Sequence, residues 1–581
     1  MTNREIADTF DLIADLLEVK GENVFRIRAY RNASLNLREM SEVLADVAKE
    51  GRLEELSGIG KDLASKIQEL LATGRLEYLD RLKKEIPEVL ATLMTIPGLG
   101  PKKAKQLYDH FKVKSMDHLE KLAKDGKLRA LPGMGEKTES NILQGLKTVR
   151  RGLERKPLLV GLEIAGEIID RLEALPVVDR IVVAGSSRRG RETIRDIDLL
   201  VVSKKPAAVM DQFVQLPFVD QVQAHGETKS SIRTSQGLQV DLRVVAPESF
   251  GAAWIYFTGS KAHNVKIRQL AQQKELLVNE YGVFRKKGNR RVAGKSEEEV
   301  YKSLGLPWVP PELREDRGEV EAGLKNRLPS LAEIKSMRGD FHMHSDWTDG
   351  GYPIEEVARA AKAKGYEYML LTDHSQSLRI AGGLSAEKLL KQRAIVDKLN
   401  RTLKPFRVLL GTEMEILPDG SLDYDDSVLS QLDVVVAAVH SAFKQPKTQM
   451  TERIISAIRN PYVNIIAHPT GRLLGAREPY EVDLDEVAKE AARTGTALEI
   501  NAQAKRMDLS DAQAKRAKEL GAQLVVSTDA HTLDHLETMV IGVGLARRAW
   551  LENQDLLNTR RADEVLKWVA QKRRKLQVAK S

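Results

Sequence analysis

Hydrophobic and polar positions in the C-terminal part of the chain follow the pattern of an α/β fold. From about residue 337 onward, short apolar runs rich in β-branched residues alternate with segments of helical period. The clearest runs are Tyr368–Leu371, Val434–Val439, Val463–Ala467 and Leu524–Val526. Runs of this kind between helices are typical of buried parallel strands. The pattern therefore predicts a parallel α/β domain.

The middle of the chain mixes helical and strand periods in a different order. A helix is predicted at about Leu162–Leu175, followed by apolar strands at Arg180–Ala184, Ile197–Val202 and Leu238–Val245. A further helical block extends to about Tyr301. This order predicts an α+β region with its own core.

A stretch rich in proline and charge separates the middle region from the α/β domain. Pro307, Pro310 and Pro311 precede the charged segment Arg314–Arg327. Such a composition indicates a connection more than a core element. We therefore predict a linker, placed at 317–336, before a domain that begins near Met337.

The N-terminal quarter is predicted to be helical, with three similar glycine turns. The glycine pairs are Gly58 and Gly60, Gly98 and Gly100, and Gly133 and Gly135. Each turn precedes a predicted helix, at about Lys61–Leu71, Lys102–His110 and Lys137–Lys147. A Gly-apolar-Gly turn lets the backbone approach a phosphate while the next helix offers unpaired N–H groups. These glycines, with Lys102 and Lys137, are predicted to contact DNA phosphates.

The distribution of charge supports that prediction. The chain of 581 residues has a net charge of +8. Between residues 89 and 156, fifteen Lys and Arg face seven Asp and Glu, so this stretch contains the whole surplus. A solvated helical surface would explain the charge alone. Its position beside glycine turns favours a footprint for a phosphate backbone.

Composition limits the remaining classes of function. The chain contains no cysteine, which excludes disulfides, thiol catalysis and cysteine-ligated zinc. No apolar run approaches the roughly 20 residues that span a bilayer, and the first residues lack the apolar segment of a secretion signal. We therefore expect a cytoplasmic protein of several domains without membrane contact.

Histidines and acids follow the apolar runs of the α/β domain. Six of the 11 histidines lie near predicted strand ends, with three acids beside them. The nine positions are His342, His344, Asp349, His374, Glu413, His440, His468, Asp529 and His531. A lone histidine is more often a structural residue. Nine such groups at the strand ends of one barrel converge, and they suit Zn²⁺ or Mn²⁺ in a multinuclear site.

Three carboxylates mark a second chemical centre in the middle region. Asp196 and Asp198 are two residues apart on a predicted strand, so their side chains share a face, and Asp241 stands on another strand. A calcium site or a surface acid pair is the alternative. Because three converging carboxylates repel one another, we predict that Mg²⁺ or Mn²⁺ ions bind between them. Two such ions suit transfer of a nucleotide to a 3′-hydroxyl.

The metal-ligand pattern from about 337 to 575 resembles the polymerase and histidinol phosphatase (PHP) domain. All nine positions above match ligand positions of that family. The resemblance implies a distorted (β/α)7 barrel that holds up to three ions, Zn²⁺, Mn²⁺ or both, for phosphoester hydrolysis.

Residues 1–316 resemble the family X DNA polymerases, the polymerase beta group. The likeness rests on Gly185-Ser186-Ser187-Arg188-Arg189, the three acids, and Tyr256-Phe257-Thr258-Gly259-Ser260. It implies that nucleotide binding involves the following residues: Gly185, Ser186, Arg189, Arg243, Tyr256, Phe257, Gly259, Asn264 and Arg268. The glycine turns resemble helix-hairpin-helix motifs, which grip the DNA backbone without reading its sequence.

The first 80 or so residues resemble the family's 8-kDa lyase domain. There a lysine attacks the aldehyde of a 5′-deoxyribose phosphate through a Schiff base. That nucleophile matches Lys66, and Tyr30 matches a neighbouring tyrosine. The family's phosphate-binding lysine is replaced by Asp62, and Arg26 replaces another of its residues. Lyase activity is therefore a candidate activity.

Together these patterns predict a multidomain protein. The predicted parts are an all-α lyase-like domain at 1–85, helix-hairpin-helix fingers at 86–156, an α+β nucleotidyltransferase-type palm at 157–247, a thumb at 248–316, the linker at 317–336 and a PHP barrel at 337–581. The predicted function is gap-filling DNA synthesis combined with a metal-dependent 3′–5′ exonuclease in DNA repair, with abasic-site processing as a candidate activity. The expected partners are gapped or nicked DNA and dNTPs, bound by a monomer.

Two rival interpretations follow from the same sequence. A PHP phosphoesterase could carry a polymerase half that only holds DNA, but Asp196, Asp198, Asp241 and Arg189 are all present. A non-catalytic scaffold could bridge broken ends, but all nine metal positions are filled. Alanine substitutions in each acid centre would separate these interpretations.

Overall fold

The structure is a computed structural model that describes residues 3–39, 44–56, 58–85, 89–90, 93, 96, 99–153 and 155–578. It divides into two compact units, 1–154 and 155–581. The predicted palm, thumb and barrel all lie within the second unit. The finer six-part division stays a prediction.

The first unit is helical in its described residues. Its helices are Asn3–Lys20, Val24–Glu39, Leu44–Lys49, Lys61–Thr73, Glu77–Glu85, Pro101–Phe111, Met116–Lys124 and Glu136–Leu153. Apolar residues at helical spacing bury one face of each longer helix, for example Phe10, Leu17 and Ile67. The three helices predicted after glycine turns are present.

The second unit begins with a five-stranded palm sheet. Its strands are β2 (Val178–Val183), β4 (Asp196–Ser203), β5 (Val219–His225), β6 (Lys229–Thr234) and β7 (Gln239–Val245), in the order β2-β4-β7-β6-β5. Strands β4 and β7 are parallel, and the other neighbours are antiparallel. Two short strands, β1 (Lys156–Pro157) and β3 (Thr193–Ile194), pair beside the sheet. The palm helices are Leu158–Glu173, Gly185–Arg188 and Pro206–Val214.

The thumb consists of helices around a small antiparallel sheet. Its helices are Phe250–Thr258, Lys261–Gln273, Glu297–Ser303 and Glu319–Leu324, and its strands are β8 (Leu276–Asn279), β9 (Gly282–Arg285) and β10 (Arg291–Ala293).

The segment predicted as a linker at 317–336 is instead packed. It contains the helix Glu319–Leu324, and Val320 and Leu331 belong to the thumb core. One of its charged residues, Glu319, is buried, and its carboxylate lies 2.7 Å from Nδ1 of His263. High charge indicated exposure from the sequence, and the other charged residues of the segment are exposed, but pairing with His263 allows Glu319 to be buried.

A parallel sheet of seven strands forms the C-terminal barrel. In sequence order the strands are β11 (Gly339–Met343), β12 (Tyr368–Leu371), β13 (Arg407–Glu415), β14 (Val434–Ala438), β15 (Val463–Ile466), β16 (Ala497–Asn501) and β17 (Gln523–Ser527). Met343 and Ala530 form a parallel bridge that joins the first strand to the end of the last. This near-closed barrel confirms the predicted fold class, and the predicted barrel strands lie where the apolar runs placed them.

Helices cover the outside of the barrel. They are Ile354–Ala363, Ala386–Thr402, Asp426–Leu429, Lys447–Ile458, Leu484–Thr494, Asp511–Glu519, Met539–Arg548 and Ala562–Val578. Because a helix follows most strands, the carboxyl ends of all the strands meet at one mouth. Within the described residues, no helix is both long and apolar enough to cross a bilayer.

Candidate active sites and nucleic-acid interface

The three palm acids meet at one end of the sheet. Asp196 and Asp198 lie two residues apart on β4, so their side chains are on the same face of the sheet. Asp198 pairs in register with Asp241 on the parallel neighbour β7. The amide of Gln239 donates to Oδ1 of Asp241 at 2.9 Å. The structure therefore brings together the three acids that the sequence singled out.

Electrostatics at this centre indicate a place for cations. Burial, followed by the charges of Asp196 and Asp241, raises the pKa of Asp198 to about 7. The positive charges of Arg243 and Arg189 offset only part of this effect. Divalent ions between these oxygens would remove that penalty, so the residues fit the predicted metals.

Gly185 lies directly against this centre. It adopts a positive φ of 63°, and a Cβ atom there would be 2.2 Å from Oδ2 of Asp198. Only glycine fits both the conformation and the space. The half-buried Ser186 follows in the short helix Gly185–Arg188. The turn therefore places backbone and hydroxyl groups beside the acids.

Two of the three predicted nucleotide-binding arginines, Arg189 and Arg243, already have partners within the protein. The Arg189 side chain is 13% exposed, contacts the carbonyl of Thr258, and donates from Nε to Oε1 of Glu315 at 3.0 Å. The guanidinium of Arg243 lies 4.5 Å from the centre of the Phe257 ring. Both arginines connect the palm to the thumb.

The remaining predicted nucleotide-binding residues lie on the two thumb helices around Gly259. Rings of Tyr256 and Phe257 are 5.0 Å apart, and the Asn264 amide donates to the carbonyl of Tyr256 at 2.7 Å. Arg268 donates from Nε to the carbonyl of Asn264 at 3.3 Å. Tyr256, Asn264 and Arg268 line one small cavity.

All nine predicted metal ligands of the barrel converge at its mouth. Glu413 stands at the centre: its Oε1 is 3.2 Å from Nε2 of His440 and 2.8 Å from Nε2 of His468, and its Oε2 is 3.3 Å from Nε2 of His342. Nε2 of His344 lies 3.3 Å from Oδ1 of Asp529. These groups come from five different strand ends.

Asp349 contacts the histidines on the other side of the cluster. Its two carboxylate oxygens lie 3.4 Å from Nε2 of His374 and 3.4 Å from Nε2 of His531. Ligand atoms within 4.8 Å of one another form three overlapping groups in the described residues. The groups are His344-Asp349-His374-His531, His342-His344-Asp529 and His374-Glu413-His440.

The chemistry of the cluster fits bound cations. Both ring nitrogens of His344 are buried and have no hydrogen-bond partner among the described residues. Burial, followed by the nearby His374, lowers the pKa of His344 to about 3. Burial, followed by Arg506, lowers the pKa of His468 to about 4. Neutral imidazole is the form that binds metal, and His344 and His468 offer it. For the other four histidines, burial is outweighed by the nearby carboxylates, which raise the pKa of His342, His374, His440 and His531.

Several supporting residues were missed by the sequence analysis. Glu499 on β16 contacts Nδ1 of His342 at 2.8 Å and accepts from the backbone N–H of His468 at 2.7 Å. Glu415 contacts Nδ1 of His440 at 2.8 Å. These carboxylates orient the rings so that Nε2 faces the cluster. The spacing of Glu415 from Glu413, two residues on one strand, was the available signal.

Two of the predicted ligands have a strained backbone conformation. His468 has a φ of 29° and Asp529 a φ of 52°, both in the left-handed region. Such conformations cost about 1–3 kcal/mol each and persist where the surroundings enforce them. Strain of this kind is typical of functional sites, where the surrounding structure enforces a costly conformation.

The glycine turns share one geometry where the structure describes them. Ile59, Leu99 and Met134 are buried, and each donates its backbone N–H to the residue three positions earlier. Gly58 and Gly133 have φ values of 77° and 76°. Gly98 lies outside the described residues. Lys102 lies on the helix Pro101–Phe111, and Lys137 is exposed on Glu136–Leu153.

The second glycine of each turn meets no steric constraint from the described residues. Gly60, Gly100 and Gly135 are exposed, lack a positive φ, and would have no atom within 4 Å of an added Cβ. Gly60 and Gly100 cap the helices that follow. A glycine that the fold does not need is explained by close approach of an external group to the backbone.

Lys66 lies in a cationic and aromatic setting. Its side chain is 12% exposed, and Nζ contacts Asp62 and lies 5.1 Å from the centre of the Tyr78 ring. Arg26 lies over the same ring at 5.3 Å, and Tyr30 stacks on it at 6.4 Å. Asp62, which departs from the family pattern, therefore holds the candidate nucleophile.

Family models match four parts of the chain. A helix-hairpin-helix domain matches residues 1–76, and a SAM-like helix-hairpin-helix tandem matches 90–148. The DNA polymerase beta thumb matches 253–315, and the PHP domain matches 340–503.

Similar proteins agree with these matches. The DNA polymerase/3′-5′ exonuclease PolX of Bacillus subtilis is 41% identical over 567 residues, which cover 97% of this chain and 99% of that protein. A probable phosphatase of a Thermoanaerobacter species is 29% identical over 248 residues, 41% of this chain and 96% of its own. A probable phosphatase of a Shewanella species is 33% identical over 202 residues, 33% of this chain and 75% of its own.

Proposed function

This chain belongs to the family X DNA polymerases that carry a C-terminal PHP domain, and we propose that its two centres extend and trim the same DNA end. It is a DNA polymerase and a 3′–5′ exonuclease that depends on divalent metal ions and acts on DNA with dNTPs. We further propose that it fills short gaps in DNA repair, as a monomer in the bacterial cytoplasm.

The polymerase proposal rests on the acid centre of the palm. Asp196, Asp198 and Asp241 would hold Mg²⁺ or Mn²⁺, which supplies Lewis-acid activation of the primer 3′-hydroxyl and charge neutralisation at the triphosphate. The turn at Gly185 and Ser186 lies next to Asp198 and would bind phosphate oxygens. The cavity bounded by Tyr256 would receive the sugar.

The nuclease proposal rests on the nine-ligand cluster. These residues would hold two or three ions, Zn²⁺ or Mn²⁺, which supply an activated hydroxide and stabilise the leaving oxygen. Arg506 lies beside Asp529, with 3.5 Å between its Nε and Oδ2 of Asp529, and its Nη1 has no hydrogen-bond partner among the described residues. Its charge would attract the phosphate of a 3′ end.

Two observations in one chain support the combined function: Asp198 pairs in register with Asp241, and the nine predicted ligands converge, eight of them in the three ligand groups and His468 beside Glu413. A product gel on DNA with a one-nucleotide gap, with dNTPs and Mg²⁺ or Mn²⁺, reports extension and degradation together. Absence of extension with every metal would refute the polymerase proposal. Absence of degradation would refute the nuclease proposal.

The helix-hairpin-helix turns give a separate prediction about DNA affinity. We expect Gly100→Val with Gly135→Val to weaken binding of the full chain to gapped DNA by about tenfold, the size expected when hydrogen bonds to a charged phosphate are lost. Thermal stability should fall only slightly, because the fold leaves space for both side chains and the loss is confined to the N-cap preference at Gly100.

Fluorescence anisotropy at several salt concentrations measures this effect. The parent chain should show a steep log–log salt slope, about 0.9 for each phosphate contact, and the variant a shallower one. Gly166→Val, at a helical position with equally open space in the other unit, is the matched control. Equal affinity of the parent chain and the double variant for gapped DNA would show that these turns do not contact DNA.

The lyase candidate gives a prediction about covalent trapping. We expect borohydride to trap an adduct between the chain and a 5′-deoxyribose phosphate end, and Lys66→Ala to abolish it. Because the carboxylate of Asp62 forms an ion pair with the amine of Lys66, Asp62→Asn should free the amine and increase trapping severalfold. Lys61→Ala, which removes an exposed neighbouring amine, is the control. Efficient trapping by Lys66→Ala would assign the reaction to another residue.

A further inference from the structure

The barrel contacts the polymerase centre through an arginine that the chemistry of neither site requires. Arg548, the last residue of the helix Met539–Arg548, is 1% exposed at its side chain. Its Nη1 donates to the backbone carbonyl of Arg189 at 2.7 Å and to Oε1 of Glu315 at 3.0 Å. Its Nη2 donates to Oδ2 of Asp511 at 2.6 Å. Arg548 therefore joins the barrel to the palm turn.

Glu315 is shared between two arginines. The same oxygen, Oε1, accepts from Nε of Arg189 and from Nη1 of Arg548, each at 3.0 Å. A buried carboxylate shared in this way neutralises only part of each guanidinium charge. If Arg548 were removed, Arg189 would be the one remaining hydrogen-bond donor of the pair, and the other nearby cation, Arg191, lies 3.9 Å from Oε1 of Glu315. Less of the Arg189 charge would then remain for a triphosphate.

The barrel contacts the same palm loop, residues 185–196, at a second point. Glu192, three residues after Arg189, accepts from Arg472 of the barrel at 2.8 Å and 3.2 Å. Arg472 also donates from Nε to the carbonyl of Arg506 at 3.0 Å. The loop from Gly185 to Asp196 thus has bidentate and backbone contacts to the barrel. Contacts of this kind fix geometry as well as adding energy.

We propose that the barrel completes the nucleotide-binding loop of the palm, with Arg548 as a positioning residue for polymerisation. The proposal rests on the proposed polymerase function of the palm. Arg548 holds the backbone at Arg189 and competes for Glu315, so it acts on binding of the incoming nucleotide. It touches none of the three acids, so the chemical step with bound nucleotide is preserved. This predicts a change in KM and not in kcat.

Steady-state extension of a one-nucleotide gap at varied dNTP concentration tests the proposal. We expect Arg548→Ala to raise KM for the nucleotide about tenfold, equivalent to roughly 1.4 kcal/mol of binding, with kcat within about twofold. Arg548→Lys should recover part of the loss. Asp511→Asn, which alters a barrel partner of Arg548 without touching the palm, should shift KM in the same direction.

Two readouts separate positioning from general destabilisation. Arg547→Ala is the matched control, because Arg547 is the neighbouring arginine and binds Glu312 of the thumb at 2.6 Å without contacting the loop. It should leave KM unchanged. Degradation of a 3′ end, measured in parallel, should stay at the parent rate in every variant and reports a folded barrel.

Each outcome decides the proposal. An unchanged KM in Arg548→Ala, or an equal rise in Arg547→Ala, would overturn it. If Arg548→Ala loses both activities, Arg548→Lys and Asp511→Asn decide: a raised KM with intact degradation supports the proposal, and parallel loss of both activities overturns it. If the parent chain fails to extend the primer, the polymerase function itself fails, which is a distinguishable result.

Discussion

Replacement of Asp198 by asparagine is expected to reduce nucleotide addition by about 10³-fold or more, while affinity for gapped DNA stays within about twofold. Asp198 pairs in register with Asp241, and burial beside Asp196 and Asp241 raises its pKa although Arg243 and Arg189 lie nearby. Asparagine keeps the shape but removes the negative charge that would bind a cation. A loss of about 4 kcal/mol of transition-state stabilisation corresponds to this factor.

Primer extension and fluorescence anisotropy on the same gapped DNA measure the two quantities. Asp220→Asn, at an exposed acid on β5 of the same sheet, should extend at the parent rate. Degradation of a 3′ end should also persist in Asp198→Asn, since the barrel ligands are intact. Extension at the parent rate by Asp198→Asn would exclude the palm acids as the catalytic centre.

Replacement of His344 by alanine is expected to abolish 3′–5′ degradation, by about 10³-fold or more, and to lower the amount of bound metal. His344 belongs to two of the three candidate ligand groups, and both of its ring nitrogens are buried without a hydrogen bond to any described residue. Its loss therefore affects two candidate ion positions at once. Extension should stay within about twofold, because polymerisation uses the palm acids and Arg548 is unaltered.

Metal analysis of the purified variant beside degradation and extension assays tests this prediction. Glu499→Gln should cause a smaller loss, about 10- to 100-fold, because Glu499 orients His342 and is not itself placed in a ligand group. His225→Ala, which removes an exposed palm histidine, is the control for loss of an imidazole. Full degradation by His344→Ala would mean that the cluster serves another purpose.

Much of the architecture was predictable because local patterns determine it. Continuous apolar runs located barrel strands such as Tyr368–Leu371, since a strand buried on both faces has little choice of residue. The glycine turns located three helix starts. The predicted linker failed because composition reports charge, whereas burial of Glu319 depends on a distant partner, His263.

The sequence by itself determined which groups are available for chemistry: three palm acids, nine candidate ligands in the barrel and the turn at Gly185. Residue type and position at strand ends carry that information, because parallel strands bring their carboxyl ends together. Only the tertiary structure decided how these groups are supported. Glu499, Glu415 and Arg548 act through contacts between residues far apart in the chain, such as Arg548 and Arg189. Such pairings leave no local period in the sequence, since they arise from packing of whole elements against one another.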